Sequence, residues 1–297
     1  MRPTGYAPAP MPAQSHPYLG AHMSIAGGLH LALEEAARHR SGAVQLFTKQ
    51  SNQWAAKPLD DESIRLFKET NAKLGPFEMA AHSSYLLNLG TGDAALWKKS
   101  LDAFVIELER CEALGIPRLV FHPGAHMGTG EGAGLKQVVK AMREAISRTA
   151  GFKTRLVIES TAGQGSCLGH KLEHLETLLH DTGHAERLGI CLDTCHLLAA
   201  GYDYRTDEGY GTFREELARR VGLDAIVWFH LNDSKKDLGS RVDRHEHIGD
   251  GFVGKKPFGF FLKDEVFRRV PMVLETAKED DADKRNLATL RRLSRIA

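Results

Sequence analysis

RLVFHPGAHMGTGEGAGLKQVVKAMREAISRTAGFKTRLVIES, residues 118–160, holds one full unit of the architecture. It opens on a short apolar run, 118–123, and closes on another, 155–160. Between them Leu135, Val138, Val139, Met142 and Ile146 recur at steps of three and four, which places them on one face of a helix. Apolar runs of this length suit strands buried on both faces, as in a parallel sheet. The unit therefore reads strand, helix, strand.

Working outward, the same alternation occurs eight times. The other runs are 18–24 (YLGAHMS), 43–48 (AVQLFT), 77–83 (FEMAAHS), 188–194 (LGICLDT), 226–233 (IVWFHLND) and 271–276 (PMVLET). Leu101, Phe104, Val105, Leu108, Cys111 and Leu114 form another helical stripe, which ends at Gly115 with Pro117 beyond as a barrier. Leu172, Leu175, Leu178 and Leu179, then Phe213, Leu217 and Val221, and finally Leu287, Leu290 and Leu293 repeat the step. An open doubly wound sheet shows similar alternation, but eight units in a chain of 297 residues suit a closed barrel, which needs about 250. The expected fold is α/β, a single (β/α)8 TIM barrel over residues 18–297. Residues 1–17, rich in Pro and Ala, are expected to be a disordered tail.

Composition is that of a chain able to bury a core, with 42% hydrophobic and 26% charged residues. The formal net charge of +1 shows no global basicity, so any contact with nucleic acid must be local. Cys111, Cys167, Cys191 and Cys195 show neither a CxxC pair nor secreted-domain spacing, which points to a reducing cytoplasm. No run is long enough to span a membrane.

Polar residues of ligand type fall at the ends of the apolar runs: His22, His82, His122, Glu159, Asp193, His230 and Glu275. Each alone reads as a satisfied buried polar group. Seven in register, at the strand ends where barrel enzymes place their sites, read as a functional ring. In Asp193-Thr194-Cys195-His196 the carboxylate and imidazole are three apart, so a helix starting there turns both toward the mouth. Asp243 and His245 flank Arg244 in SRVDRHEHIGDG, on a Gly-flanked loop. Mixed His and carboxylate donors suit Zn2+ in a catalytic site, with Mn2+ the second candidate. Setting His22 aside, nine candidates at three or four per ion, one carboxylate bridging, would serve about three divalent cations. About six positive charges then slightly exceed four carboxylates and a hydroxide, leaving a site ready for an anion such as a phosphodiester.

GAHMSIAGG (20–28), AAHSSYLLNLG (80–90), LVFHPGAH (119–126), LVIESTAGQGS (156–166), CLDTCHLLAAGYD (191–203), FHLNDSKKDLGSRVDRHEHIGDG (229–251) and VLETA (273–277) together resemble the endonuclease IV family of apurinic/apyrimidinic endonucleases. The resemblance runs from about Gly20 to Glu275, in family order. It implies a barrel with three zinc ions: one on His82, His122 and Glu159, a second on Glu159, Asp193, His230 and Glu275, and a third on His196, Asp243 and His245. It further implies in-line attack by a metal-bridging hydroxide on the phosphorus 5′ to an abasic site in duplex DNA. The products are a 3′-hydroxyl and a 5′-deoxyribose phosphate, with 3′-end-cleaning phosphodiesterase activity a further expectation. Glu159 is the candidate catalytic residue, positioning the nucleophile. DNA contacts are expected from His22, Lys49, Asn52, Gln53, Trp54, Tyr85 and Leu86, with the abasic nucleotide turned out of the stack. The expected partner is abasic duplex DNA, with no membrane, no obligate protein partner and a monomeric chain. Two positions depart from the family: Asn52 stands where an Arg is frequent, and Ser83 follows the third-strand His where an Asp is frequent. The first bears on grip of the duplex, the second on the surroundings of His82.

The rival reading is a sugar isomerase or epimerase on a similar barrel, holding one metal on Glu159, Asp193, His230 and Glu275. It leaves five of the nine ligands unused. A non-catalytic DNA-binding or scaffold protein would need none of them.

Overall fold

Eight parallel strands close into a barrel in the computed structural model, which describes residues 16–279 and 281–295. The barrel strands are β1 (Leu19–Met23), β2 (Ala43–Phe47), β3 (Glu78–His82), β4 (Arg118–Phe121), β5 (Arg155–Glu159), β6 (Leu188–Asp193), β7 (Ile226–His230) and β10 (Met272–Leu274). Around them lie α1 (Leu29–Arg38), α2 (Asp61–Leu74), α3 (Ala94–Leu114), α4 (Glu131–Arg148), α5 (Leu172–Thr182), α6 (Thr194–Ala200), α7 (Asp207–Arg220), α8 (Lys255–Lys263) and α9 (Ala282–Leu293). β1 pairs in parallel with both β2 and β10, and this closure rules out the open doubly wound sheet. The Gly115 stop is realised: the residue sits at φ 75, ψ 27, the left-handed cap that glycine adopts without strain.

Two apolar cores follow from strand alternation. Leu19, Ala21 and Met23, with their equivalents on the other strands, face outward into the helical layer. Ala43, Ala80, Val120, Val157, Cys191, Trp228 and Val273 fill the interior as one layer. Gly20 completes that layer on β1, where a Cβ would lie 1.7 Å from the Ala43 carbonyl oxygen, so the close approach of β1 and β2 requires glycine.

The sequence extends several strands too far. The run 226–233 is not one strand: β7 ends at His230, and β8 (Asp233–Ser234) pairs antiparallel with β9 (His245–Glu246) as a separate ribbon. The Asp233 carboxylate explains the break. It accepts from the backbone N–H groups of Ser234, Gly249, Val253 and Gly254, ordering the loop that follows the ribbon. Residues 1–15, most of the expected tail, lie outside the described residues. His16 is buried, and its N–H donates to Ser294 Oγ at 3.1 Å. Among the described residues no helix is long and apolar enough to cross a membrane.

Candidate metal centre

Side chains two residues apart on a strand share a face, so the interior layer dictates what stands above it. Two positions beyond Ala43, Ala80, Val120, Val157, Cys191, Trp228 and Val273 are Gln45, His82, His122, Glu159, Asp193, His230 and Glu275. His22 stands likewise above Gly20. The strand-end residues therefore converge inside the mouth because each continues an inward-facing row. His122 and Glu275 lie one residue past their strands and keep the same facing.

Glu159 is fully buried, and its two oxygens serve different neighbours. Oε2 lies 3.0 Å from His82 Nε2 and 3.3 Å from His122 Nε2. Oε1 lies 3.0 Å from His230 Nδ1 and 3.3 Å from His196 Nδ1. His230 Nδ1 also faces Glu275 Oε2 at 3.2 Å and Asp193 Oδ2 at 3.8 Å.

The third cluster comes from α6 and the ribbon. Asp193 caps α6 by accepting from His196 N–H at 2.8 Å, which fixes the three-residue spacing over the mouth. The ribbon carries Asp243 and His245 back across the opening, and Gln164 Oε1 accepts from Asp243 N–H at 3.2 Å. His196 Nε2 and His245 Nε2 then lie 3.2 and 3.5 Å from Asp243 Oδ1.

Ligand atoms within 4.8 Å of one another form the groups His82–His122–Glu159, Glu159–Asp193–His230–Glu275 and His196–Asp243–His245. A fourth group, Asp193–Cys195–His245, adds a thiol. Burial and Asp193 push that thiol up to about 12.

The electrostatics fit cations. Burial disfavours charge on Glu159, yet His230 and His122 hold its carboxyl well below the usual range. Burial likewise opposes charge on His196, but Asp193, Asp243 and Glu159 outweigh it and push the imidazole well above its ordinary value. His196 Nε2 and His245 Nε2 are buried without a hydrogen-bond partner. Nitrogens that face a shared carboxylate without making a hydrogen bond to it are what metal ligation calls for. The opposite nitrogens are engaged: His82 Nδ1 donates to the Ser83 carbonyl and His196 Nδ1 to the Ser160 carbonyl, both at 2.8 Å. The Ser83 departure therefore leaves the support of His82 intact, because a backbone oxygen provides it.

The candidate DNA contacts divide. Asn52 and Gln53 are exposed, and Tyr85 is 64% exposed. Leu86 lines a cavity of about 230 Å3 beside His82 and His122. Trp54 is half-buried against the core, with Lys99 Nζ 4.2 Å from its ring centroid. His22 and Lys49 turn inward. His22 Nδ1 lies 3.1 Å from Gln45 Nε2 and 3.6 Å from Glu275 Oε1. Lys49, 7% exposed, donates to the Gln53 carbonyl at 2.6 Å and pairs with buried Glu107 at 3.4 Å. Glu107 in turn accepts from Ser84 N–H, so one carboxylate on α3 ties loop 49–54 to loop 83–87. Glu107→Gln is expected to destabilise the fold by about 3 kcal/mol, because it strands the Lys49 charge. Adding Lys49→Met should recover part of that loss in denaturant titrations, with zinc content unchanged.

Gln45, Asn232, Ser160, Gln164 and Glu107 were not among the candidates. Asn232 Nδ2 donates to Asp193 Oδ2 at 2.6 Å, and its oxygen accepts from Glu275 N–H at 2.8 Å. A polar residue inside an apolar run, as in AVQLF, was the available signal for Gln45.

A closed barrel whose mouth gathers four carboxylates and five imidazoles into three ion-sized groups defines a metal-binding enzyme of the TIM-barrel class. Residues 33–295 match the family model described as Xylose isomerase-like TIM barrel. Proteins named "Probable endonuclease 4" from Geobacter sulfurreducens and Geotalea daltonii are 48% and 45% identical to this chain. They align over 94% and 92% of it and over 95% and 97% of their own lengths. The crystal structure of endonuclease IV from Thermus thermophilus superimposes with a TM-score of 0.83 at 35% identity, covering 93% of this chain and 98% of that one. The chain belongs to the endonuclease IV family.

Proposed function

We propose that this chain is a zinc-dependent apurinic/apyrimidinic endonuclease of DNA repair. It hydrolyses the phosphodiester 5′ to an abasic site in duplex DNA and leaves a 3′-hydroxyl and a 5′-deoxyribose phosphate. The observation that carries the reading is Glu159: one buried carboxylate with an oxygen in each of two ligand groups, and a third group beside them.

Three zinc ions fit the donors: one on His82, His122 and Glu159, one on Glu159, Asp193, His230 and Glu275, and one on His196, Asp243 and His245. Bound zinc supplies a water acidic enough to ionise near neutral pH and positive charge for an in-line displacement at phosphorus. The protein does the rest. Glu159 spaces the first two groups, Asn232 and Ser160 hold Asp193, and Gln164 holds the Asp243 loop.

A near-neutral chain needs a local basic surface to hold phosphates, and residues 235–244 present one. Lys235, Lys236, Arg241 and Arg244 are exposed on the loop that bears Asp243. Tyr85, Asn52 and Gln53 stand at the opening as wedges for the gap in the stack. The cavity lined by Leu86, Leu87 and Thr161 receives the displaced abasic nucleotide. A 3′-blocked end presents the same phosphodiester chemistry and is a second substrate of this site. The single-metal isomerase reading leaves His82, His122, His196, Asp243 and His245 without a role.

The test is a duplex carrying one tetrahydrofuran residue, incubated with pure protein with and without a chelator, alongside metal analysis. Incision 5′ to the analogue, lost on chelation and restored by zinc, with about three zinc ions per chain, is the expected result. Uncut duplex in the presence of zinc overturns the proposal, as does a single ion with aldose–ketose interconversion.

A further inference from the structure

Gln45 is fully buried at the floor of the mouth, between His22, His230 and Glu275, and takes no part in the steps so far. Its Nε2 lies 2.6 Å from Glu275 Oε1 and 3.1 Å from His22 Nδ1. Its Oε1 lies 2.8 Å from His230 Nε2.

Donor and acceptor chemistry fixes who gives and who takes. The Glu275 carboxylate is acceptor-only, so the atom facing it must be the amide NH2. The second hydrogen of that NH2 meets His22 Nδ1, which therefore accepts. The amide oxygen is left for His230 Nε2, which must carry a proton. A neutral imidazole protonated at Nε2 offers its lone pair at Nδ1. Nδ1 is the His230 atom that faces Glu159, Glu275 and Asp193.

We propose that Gln45 is a positioning residue: it sets the tautomer of His230 and the orientation of the Glu275 carboxylate, and so tightens the hold of the Glu159–Asp193–His230–Glu275 group on its divalent ion. The inference rests on the metal reading above. For His82 and His196 the matching partner is a backbone carbonyl, which no substitution removes. For His230 it is a side chain. Groups that orient a ligating imidazole in this way typically contribute about 10- to 100-fold in metal affinity.

Gln45→Met keeps the length of the side chain and removes both the donor and the acceptor. In the zinc-loaded variant, release of one ion per chain to excess chelator is expected to quicken about 10- to 100-fold, with the other ions released at the wild-type rate. KM for the tetrahydrofuran duplex should hold while kcat falls, because Gln45 lies beneath the opening. Histidine side-chain 15N spectra of the zinc-loaded wild type add a readout that needs no variant: His230 should be protonated at Nε2 and coordinated through Nδ1. The opposite tautomer overturns the proposal. So does identical ion release from Gln45→Met and wild type. A wild-type protein holding fewer than three zinc ions overturns the metal reading instead, which keeps the two failures apart.

Discussion

Glu159→Gln is expected to lower incision of abasic duplex by at least about four orders of magnitude and to reduce zinc content from about three ions to about one. Four orders of magnitude correspond to about 5.4 kcal/mol of lost transition-state stabilisation. That is a large effect for one atom exchanged, and the position of the residue explains it. Both carboxylate oxygens are committed, Oε2 to His82 and His122, Oε1 to His230 and His196. Glutamine fills the same volume but turns an N–H2 toward one of the two groups, so one loses its anion and the spacing between them is no longer set by a shared ligand. Stability should change far less than activity, since side chains from all eight barrel strands enclose the site. The measurement pairs metal analysis with single-turnover incision. A Gln variant that keeps three zinc ions and a tenth of the wild-type rate would remove Glu159 from the centre of the mechanism.

The strand-end candidates could be read from the sequence because a polar residue closing an apolar run breaks the run visibly. His82, His122, Glu159, Asp193, His230 and Glu275 all do so. Gln45 faces the same mouth from inside AVQLF, and its inward facing shows only once Ala43 is placed in the interior layer. The ribbon was hidden for another reason. Two-residue strands carry no alternation, and Asp233 pairs with Glu246 across a loop whose order comes from one buried carboxylate. Lys49 is expected among the DNA contacts because it lies on the loop after β2, and the structure buries it against Glu107. Its partner Glu107 belongs to a helical stripe where a lone acid reads as solvent-facing, yet it is buried. The three-residue step in Asp193–His196 succeeded because it depended on local geometry alone, a helix starting at the strand end.

Asp243→Ala is expected to reduce incision about 10^3-fold while removing a single ion and leaving the fold nearly as stable. Asp243 differs from Glu159 in kind. Its side chain is 40% exposed, it sits on a loop rather than a strand, and its carboxylate serves only the third group. If the ion held by His196, Asp243 and His245 supplies the charge that meets the departing 3′ oxygen, removing one of its ligands should cost what losing one such stabilising group commonly costs, about 10^2- to 10^3-fold. Leaving-group chemistry separates this role from a general loosening of the mouth. A duplex with a 3′-bridging sulfur at the scissile bond has a leaving group that needs little stabilisation, so the Asp243→Ala deficit should shrink toward tenfold on it. The Glu159→Gln deficit should persist, because the acidic water is still missing. Equal deficits for Asp243→Ala on oxygen and sulfur substrates would place the third group in binding rather than in departure. The contrast follows from the structure: Glu159 joins two groups, and Asp243 completes one.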